Sequence, residues 1–180
     1  SAVFMEDATA GVELYLSGNT CKAGQKITGP VTGKIKLYQG FAEMTAIDLS
    51  KATVTEGNTI PCKTVTAADL AANYKKYFNM RVKMEGVEVT TGINGKATGA
   101  VKQGDTSIAI RGGVNGVVLN TGDKGDLISY PQQYNNALQT YVYETSWFTV
   151  TESGSGDDGG GSGEDTPSVS TIAELNALAT

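Results

Sequence analysis

Met80-Arg81-Val82-Lys83-Met84-Glu85-Gly86-Val87-Glu88-Val89-Thr90 is the stretch whose pattern decides the fold. Side chains alternate across a β-strand, so Val82 and Met84 share one face. Val87 and Val89 have the opposite parity, and Gly86 stands where the phase changes. An unbroken strand would bury one pair and expose the other. A bulge or sharp bend at the glycine removes the conflict, because it keeps all four apolar side chains inward while the strand turns a corner. A long, bent first strand of this kind is what a small closed barrel needs.

The flanking sequence supplies the other strands. After a glycine-rich turn at residues 92–99, a hairpin is expected through Ala100-Val101 and residues 107–111, with Gly104-Asp105 near its turn. Ile108 and Ile110 face one way there, Ala109 and Arg111 the other. A closing hairpin turns at Asn135-Asn136, a pair that tolerates positive φ, and Leu138, Thr140 and Val142 then alternate with Gln139, Tyr141 and Tyr143. Upstream, Thr66 is a fair N-cap for a short lead-in helix over residues 67–76 that ends by Asn79. A bent strand, a hairpin, a glycine-containing connection and a closing hairpin give five strands in the order of an OB barrel.

The chain also repeats itself. Tyr38-Gln39-Gly40-Phe41 precedes Thr53-Val54-Thr55-Glu56, as Tyr134-Asn135-Asn136-Ala137 precedes Thr149-Val150-Thr151-Glu152, both at an offset of 96. Val12-Glu13-Leu14-Tyr15 aligns with Ile108-Ala109-Ile110-Arg111 in the same register, which sets Val12 and Leu14, with Leu16, inward and Glu13 and Tyr15 outward. Ile35 and Leu37 alternate with Lys34, Lys36 and Tyr38. Between these anchors Gly24 matches Gly125, at an offset of 101. The fold expected is therefore all-β, with tandem five-stranded OB-like barrels and a short lead-in helix before the complete unit. Its domains are a partial unit at 1–63 lacking its first strand, a complete unit at 64–152, an acidic Gly/Ser linker at 153–167, and the start of a third unit at 168–180. The last assignment rests on Ser170-Thr171-Ile172-Ala173-Glu174-Leu175, which reads like Thr64-Val65-Thr66-Ala67-Ala68-Asp69-Leu70. A fragment of a longer protein, or a strand added by another segment, would account for the incomplete first unit.

Composition narrows the chemistry. The 23 glycines and the Thr-, Val- and Tyr-rich patterned stretches favour short strands and tight turns. The net charge of −5 is uneven, because residues 152–180 hold six acidic residues and no basic one. The remaining body is nearly neutral, without the basic footprint of a nucleic-acid binder. There is no histidine, which removes Ser/His and Cys/His nucleophile pairs and histidine-ligated zinc. No apolar run approaches the ~18 residues of a membrane span. Asp123 and Asp126 flank Gly125 in a loop whose spacing fails the calcium-loop template. Glu85 and Glu88 carry no mark of an acid/base pair. No metal, cofactor or catalytic residue is expected.

An OB barrel binds ligands chiefly across its second and third strands and adjoining loops. The candidate ligand-binding residues there are Lys102, Arg111, Tyr134, Tyr141 and Tyr143, with Tyr15 and Tyr38 as their counterparts upstream. Stacking on tyrosines beside basic groups suits a sugar chain or single-stranded nucleic acid, although outward Tyr and Lys also serve simply as strand-surface residues. Trp147 and Phe148 are expected in packing.

Three features together, the Gly24-Gln25 or Gly125-Asp126 lead into the fourth strand, the short closing hairpin and the Thr171-Ile172-Ala173-Glu174-Leu175 opening, resemble the tandem OB-fold repeats of Bacteroidota cell-surface lipoproteins. The resemblance covers nearly the whole chain and rests on pattern, not on a diagnostic motif. It implies an exported, non-enzymatic binding or structural module of the cell envelope, at the outer surface or outside the cell. A polysaccharide or protein would be its partner, with single-stranded nucleic acid and self-assembly by strand addition as alternatives. In an exported protein Cys21 and Cys62 could form a disulfide, worth roughly 3–4 kcal/mol for a loop of about 40 residues; two free thiols fit the sequence equally well.

Overall fold

The structure is a computed structural model that describes residues 2–15 and 21–154. Leu16, the linker beyond residue 154 and the third-unit opening at 168–180 lie outside the described residues. In chain order the strands are β1 (Ala2–Glu6), β2 (Gly11–Tyr15), β3 (Lys26–Thr28), β4 (Thr32–Tyr38), β5 (Phe41–Asp48), β6 (Thr53–Thr55) and β7 (Lys63–Thr64). Helix α1 (Ala67–Asn73) and a 3-10 turn (Tyr74–Tyr77) follow, then β8 (Val82–Thr91), β9 (Ile93–Asn94), β10 (Thr98–Gln103), β11 (Thr106–Gly112), β12 (Val118–Leu119), β13 (Lys124–Tyr134), β14 (Ala137–Val142) and β15 (Phe148–Glu152).

Five of these strands close a barrel in the order β8-β10-β11-β14-β13 and back to β8. Closure depends on β8, which pairs with β13 through Lys83↔Ile128 and Met84↔Leu127, and with β10 through Glu88↔Lys102 and Val89↔Val101. Between its two halves Met84 opposes Leu127 and Val87 opposes Gly125, so Glu85 and Gly86 together face Asp126 alone. This is a bulge, and Gly86 adopts φ +61 in it. The Gly86 N–H donates to Asp126 Oδ1 at 3.0 Å, and Lys83 Nζ holds the other carboxylate oxygen at 2.8 Å. Val82, Met84, Val87 and Val89, two of each parity, are consequently all fully buried.

Around them pack Val101, Ile108, Ile110, Leu127, Val142 and Phe148, each side chain contributing on the order of 1.5–3 kcal/mol through removal from water. The lead-in helix is short because Thr66 caps it, accepting from the Asp69 N–H at 3.1 Å, and Asn73 already departs from helical geometry. It delivers Ala67 and Leu70 to the core, and the Ala67 N–H is fixed by Gln103 Oε1 at 2.7 Å. The Asn135-Asn136 turn has positive φ at both residues, as has Gln39-Gly40.

The other large sheet runs β1-β2-β5-β4, with β2 and β5 parallel. Its pairings repeat those of the barrel at the 96-residue offset: Val3↔Leu14 matches Gly99↔Ile110, Leu14↔Met44 matches Ile110↔Thr140, and Leu37↔Ala42 matches Gln133↔Leu138. Among the described residues no strand pairs with the outer edges of β1 and β4. Two expectations are corrected here. Ile27↔Val54 corresponds to Gly125↔Val150, which moves the counterpart of Gly24 to Gly122, both with positive φ, and not to Gly125. Glu13 is buried, not outward, because the face it shares with Phe4, Phe41 and Glu43 lies against the barrel.

Gly86→Ala tests the closure. Nothing lies near the added methyl group, so the cost is the left-handed backbone alone, about 1–2 kcal/mol. Urea unfolding should show that loss, and Gly86→Asn should lose less.

Candidate functional site

The sheet meets the barrel along a line of rings. Phe4 stacks on Tyr130 with centroids 4.4 Å apart and tilts against Tyr143 at 5.6 Å, and Trp147 touches both tyrosines at 5.7 and 6.0 Å. The Arg81 guanidinium lies over the Trp147 ring at 5.6 Å. Further along, Phe41 packs on Phe78 at 5.8 Å and Phe78 on Tyr74 at 5.5 Å. The backbones also come close. A Cβ on Gly11 would lie 2.5 Å from the Asn79 carbonyl carbon, so only glycine permits this approach. Polar contacts fill the rest: Arg81 N–H donates to Glu6 Oε2 at 2.6 Å, and the Gln133 side-chain amide donates to the Gln39 carbonyl.

In the middle of this junction the parallel β2–β5 pairing sets Glu13 beside Glu43, both buried. Gln132 Nε2 donates to Glu13 Oε2 at 3.2 Å and to Asn79 Oδ1 at 3.0 Å. Lys36 Nζ approaches Glu43 at 3.9 Å from the solvent side. Burial, reinforced by the charge of Glu43, lifts the Glu13 carboxyl to about 6 despite the Gln132 hydrogen bond. Neither the pair nor its partner Gln132 is visible in the alternation pattern, which shows which residues share a face but not what covers it. The available signal was that β1 and β5 carry apolar residues of both parities, Val3 and Met5 with Phe4, and Met44 with Phe41, as strands buried on two faces do.

Of the seven residues singled out for binding, Arg111 and Tyr141 are paired across β11 and β14, and Tyr134 lies four residues along the β13–β14 ladder from the Tyr130–Tyr141 pair. The Tyr141 hydroxyl, raised by burial, is close enough to feel Arg111, Tyr38 and Tyr134. Tyr38 and Tyr134 are exposed, Tyr141 and Arg111 half-buried, and Arg111 Nη1 donates to Thr98 Oγ1 at 3.3 Å. Lys36 sits over the Tyr38 ring at 5.6 Å. Tyr143 instead packs among Phe4, Tyr130, Tyr141 and Trp147, and burial drives its hydroxyl strongly upward. Lys102 opposes Ser107 at the far end of the hairpin, roughly 14 Å along the strand from Arg111. Tyr15 is exposed on β2, opposite Ala2.

The remaining candidates are occupied structurally. Asp123 accepts from the Gly154 N–H at 2.9 Å and Asp126 from Gly86, and among the described residues no three His, Cys, Asp or Glu side chains converge as a ligand set. Glu85 pairs with Lys83 at 3.0 Å. No disulfide joins Cys21 and Cys62. Cys62 lines an open cleft of about 150 Å³ with Glu6, Pro61, Met80 and Arg81, where burial raises its thiol and disfavours the thiolate.

The buried carboxylate makes stability pH-dependent. Glu13 binds its proton more tightly folded than unfolded, so its contribution is complete below pH 4.5 and is lost as pH rises through about 6. The difference is on the order of 2 kcal/mol. Glu13→Gln should therefore be more stable than the parent at pH 7.5 and about equal at pH 4.5, in urea titrations at both values. Compared with known proteins, the chain matches no family model and no curated sequence.

Proposed function

We propose that the chain is a non-enzymatic module of tandem OB-like units at the outer cell surface, and that its exposed tyrosine rim binds a carbohydrate polymer. The observation that carries this reading is the Arg111–Tyr141 pair across β11 and β14, with the exposed Tyr38 and Tyr134 on the strands beside it. Aromatic faces and a guanidinium fork stack on and hydrogen-bond to sugar rings, and a firmly packed support keeps them aligned at little entropic cost. The OB assignment draws on the strand order β8-β10-β11-β14-β13, with β11 and β14 parallel, and the tandem assignment on pairings that recur at 96 residues. The surface location draws on the resemblance of the sequence pattern alone.

Charge favours a neutral polymer over nucleic acid. The body through residue 151 is close to neutral, and Glu13 lies near Tyr141, where a phosphate backbone would be repelled. Soluble glucans and mannans, titrated calorimetrically, should bind to the chain, and Tyr134→Ala or Tyr141→Ala should each weaken binding about tenfold. Failure of every polysaccharide to bind would overturn the proposal. Tight, steeply salt-dependent binding of a single-stranded oligonucleotide would replace it with the nucleic-acid reading.

A further inference from the structure

The four-stranded sheet has a second face, and it is apolar. Val3 and Met5 of β1, Val12 and Leu14 of β2, Met44 of β5, and Ile35 and Leu37 of β4 all point to the side away from the barrel, as the pairings Val3↔Leu14, Met5↔Val12, Leu14↔Met44 and Ile35↔Met44 require. Ile35 is 61% and Leu37 73% exposed, the two most exposed large hydrophobics among the described residues. Flanking this face are the outer edges of β1 and β4, with which no described strand pairs.

The molecule itself shows what covers such a face. Ile35 and Leu37 stand 96 residues before Pro131 and Gln133, which are buried. Pro131 accepts a hydrogen bond from the Asn79 N–H at 3.0 Å, and Gln133 one from the Tyr74 hydroxyl at 3.3 Å, so both lie under the segment that leads into β8. β8 then fills the gap between β10 and β13 with Val82, Met84, Val87 and Val89 directed inward. Carried back 96 residues, the Val89↔Val101 and Glu88↔Lys102 pairs place an incoming strand opposite Met5 and Glu6, and Val82↔Ser129 places it opposite Gly33.

We infer that the four-stranded sheet is a strand-acceptor site. Its occupant is a partner segment consisting of an aromatic-bearing turn followed by an extended strand with apolar side chains on one face, docked antiparallel to β1 and β4. Main-chain hydrogen bonds along the two open edges provide affinity, and the alternating apolar side chains fix the register. The turn covers Ile35 and Leu37, and the strand covers the half-buried Val3 and Met5, which flank Leu14, a side chain that is already buried.

A fluorescein-labelled peptide of residues 74–91, whose own sequence has this pattern, is the probe, titrated into the 180-residue chain and followed by anisotropy. Saturable binding is expected, at least tenfold weaker for a scrambled peptide and at least tenfold weaker for Leu37→Asp, an exposed position where the substitution leaves the fold intact. Amide exchange in residues 2–6 and 32–38 should slow when the peptide is bound. Tyr134→Ala should leave peptide binding unchanged, which separates this site from the proposed carbohydrate rim. Absence of saturable binding, or binding indifferent to Leu37→Asp, would overturn the inference. So would a Leu37-dependent dimer of the peptide-free chain in sedimentation equilibrium, since a second copy would then occupy the face.

Discussion

One strand serving two partners holds the barrel together. β8 reaches both β13 and β10 only because its direction changes at Gly86, and the change is stabilised on both sides of the bulge: the glycine N–H by Asp126, and Asp126 in turn by Lys83. Without the bend, either Val82 and Met84 or Val87 and Val89 would face solvent, and a core with half its first strand missing would not compensate for the ordering of more than 80 residues. The helix, the 3-10 turn and the docked sheet all rest on surfaces that exist only once this closure has been made.

The parts of the fold that were legible in the sequence are those governed by local geometry. Phase reversal at Gly86 disclosed the bulge, Asn135-Asn136 and Gln39-Gly40 disclosed their turns through positive φ, and Thr66 disclosed its cap. What escaped depends on what lies across a surface. Glu13 alternates as an outward residue should, and it is buried because a second layer sits on it. Tyr143 was read as a surface ring and became packing for the same reason. Of the binding candidates, the place of Arg111 beside Tyr141 and the distance of Lys102 from Arg111 both follow from strand register, which alternation alone does not give. The match of Gly24 failed because glycine recurs at 122 and 125, and only strand pairing distinguishes them.

The junction combines opposing contributions. Aromatic contacts from Phe4 and Phe41 and the close approach at Gly11 bring the sheet down firmly, while two carboxylates are carried into the same layer. Gln132, by donating to both Glu13 and Asn79, links the β2 side of the sheet to the segment that precedes β8. Protonation of Glu13 thereby bears on the base of the barrel as well as on the sheet.

The lysines of β4 have a consequence for self-recognition. Lys34 and Lys36 lie on the exposed edge strand of the sheet, whose other side offers Ile35 and Leu37. Two copies meeting antiparallel along that edge would set rows of like charge against each other, which disfavours sheet growth from one molecule to the next. An edge that is costly to pair with itself is a barrier to strand addition between copies, so the exposed Ile35 and Leu37 can sit beside it without seeding fibres.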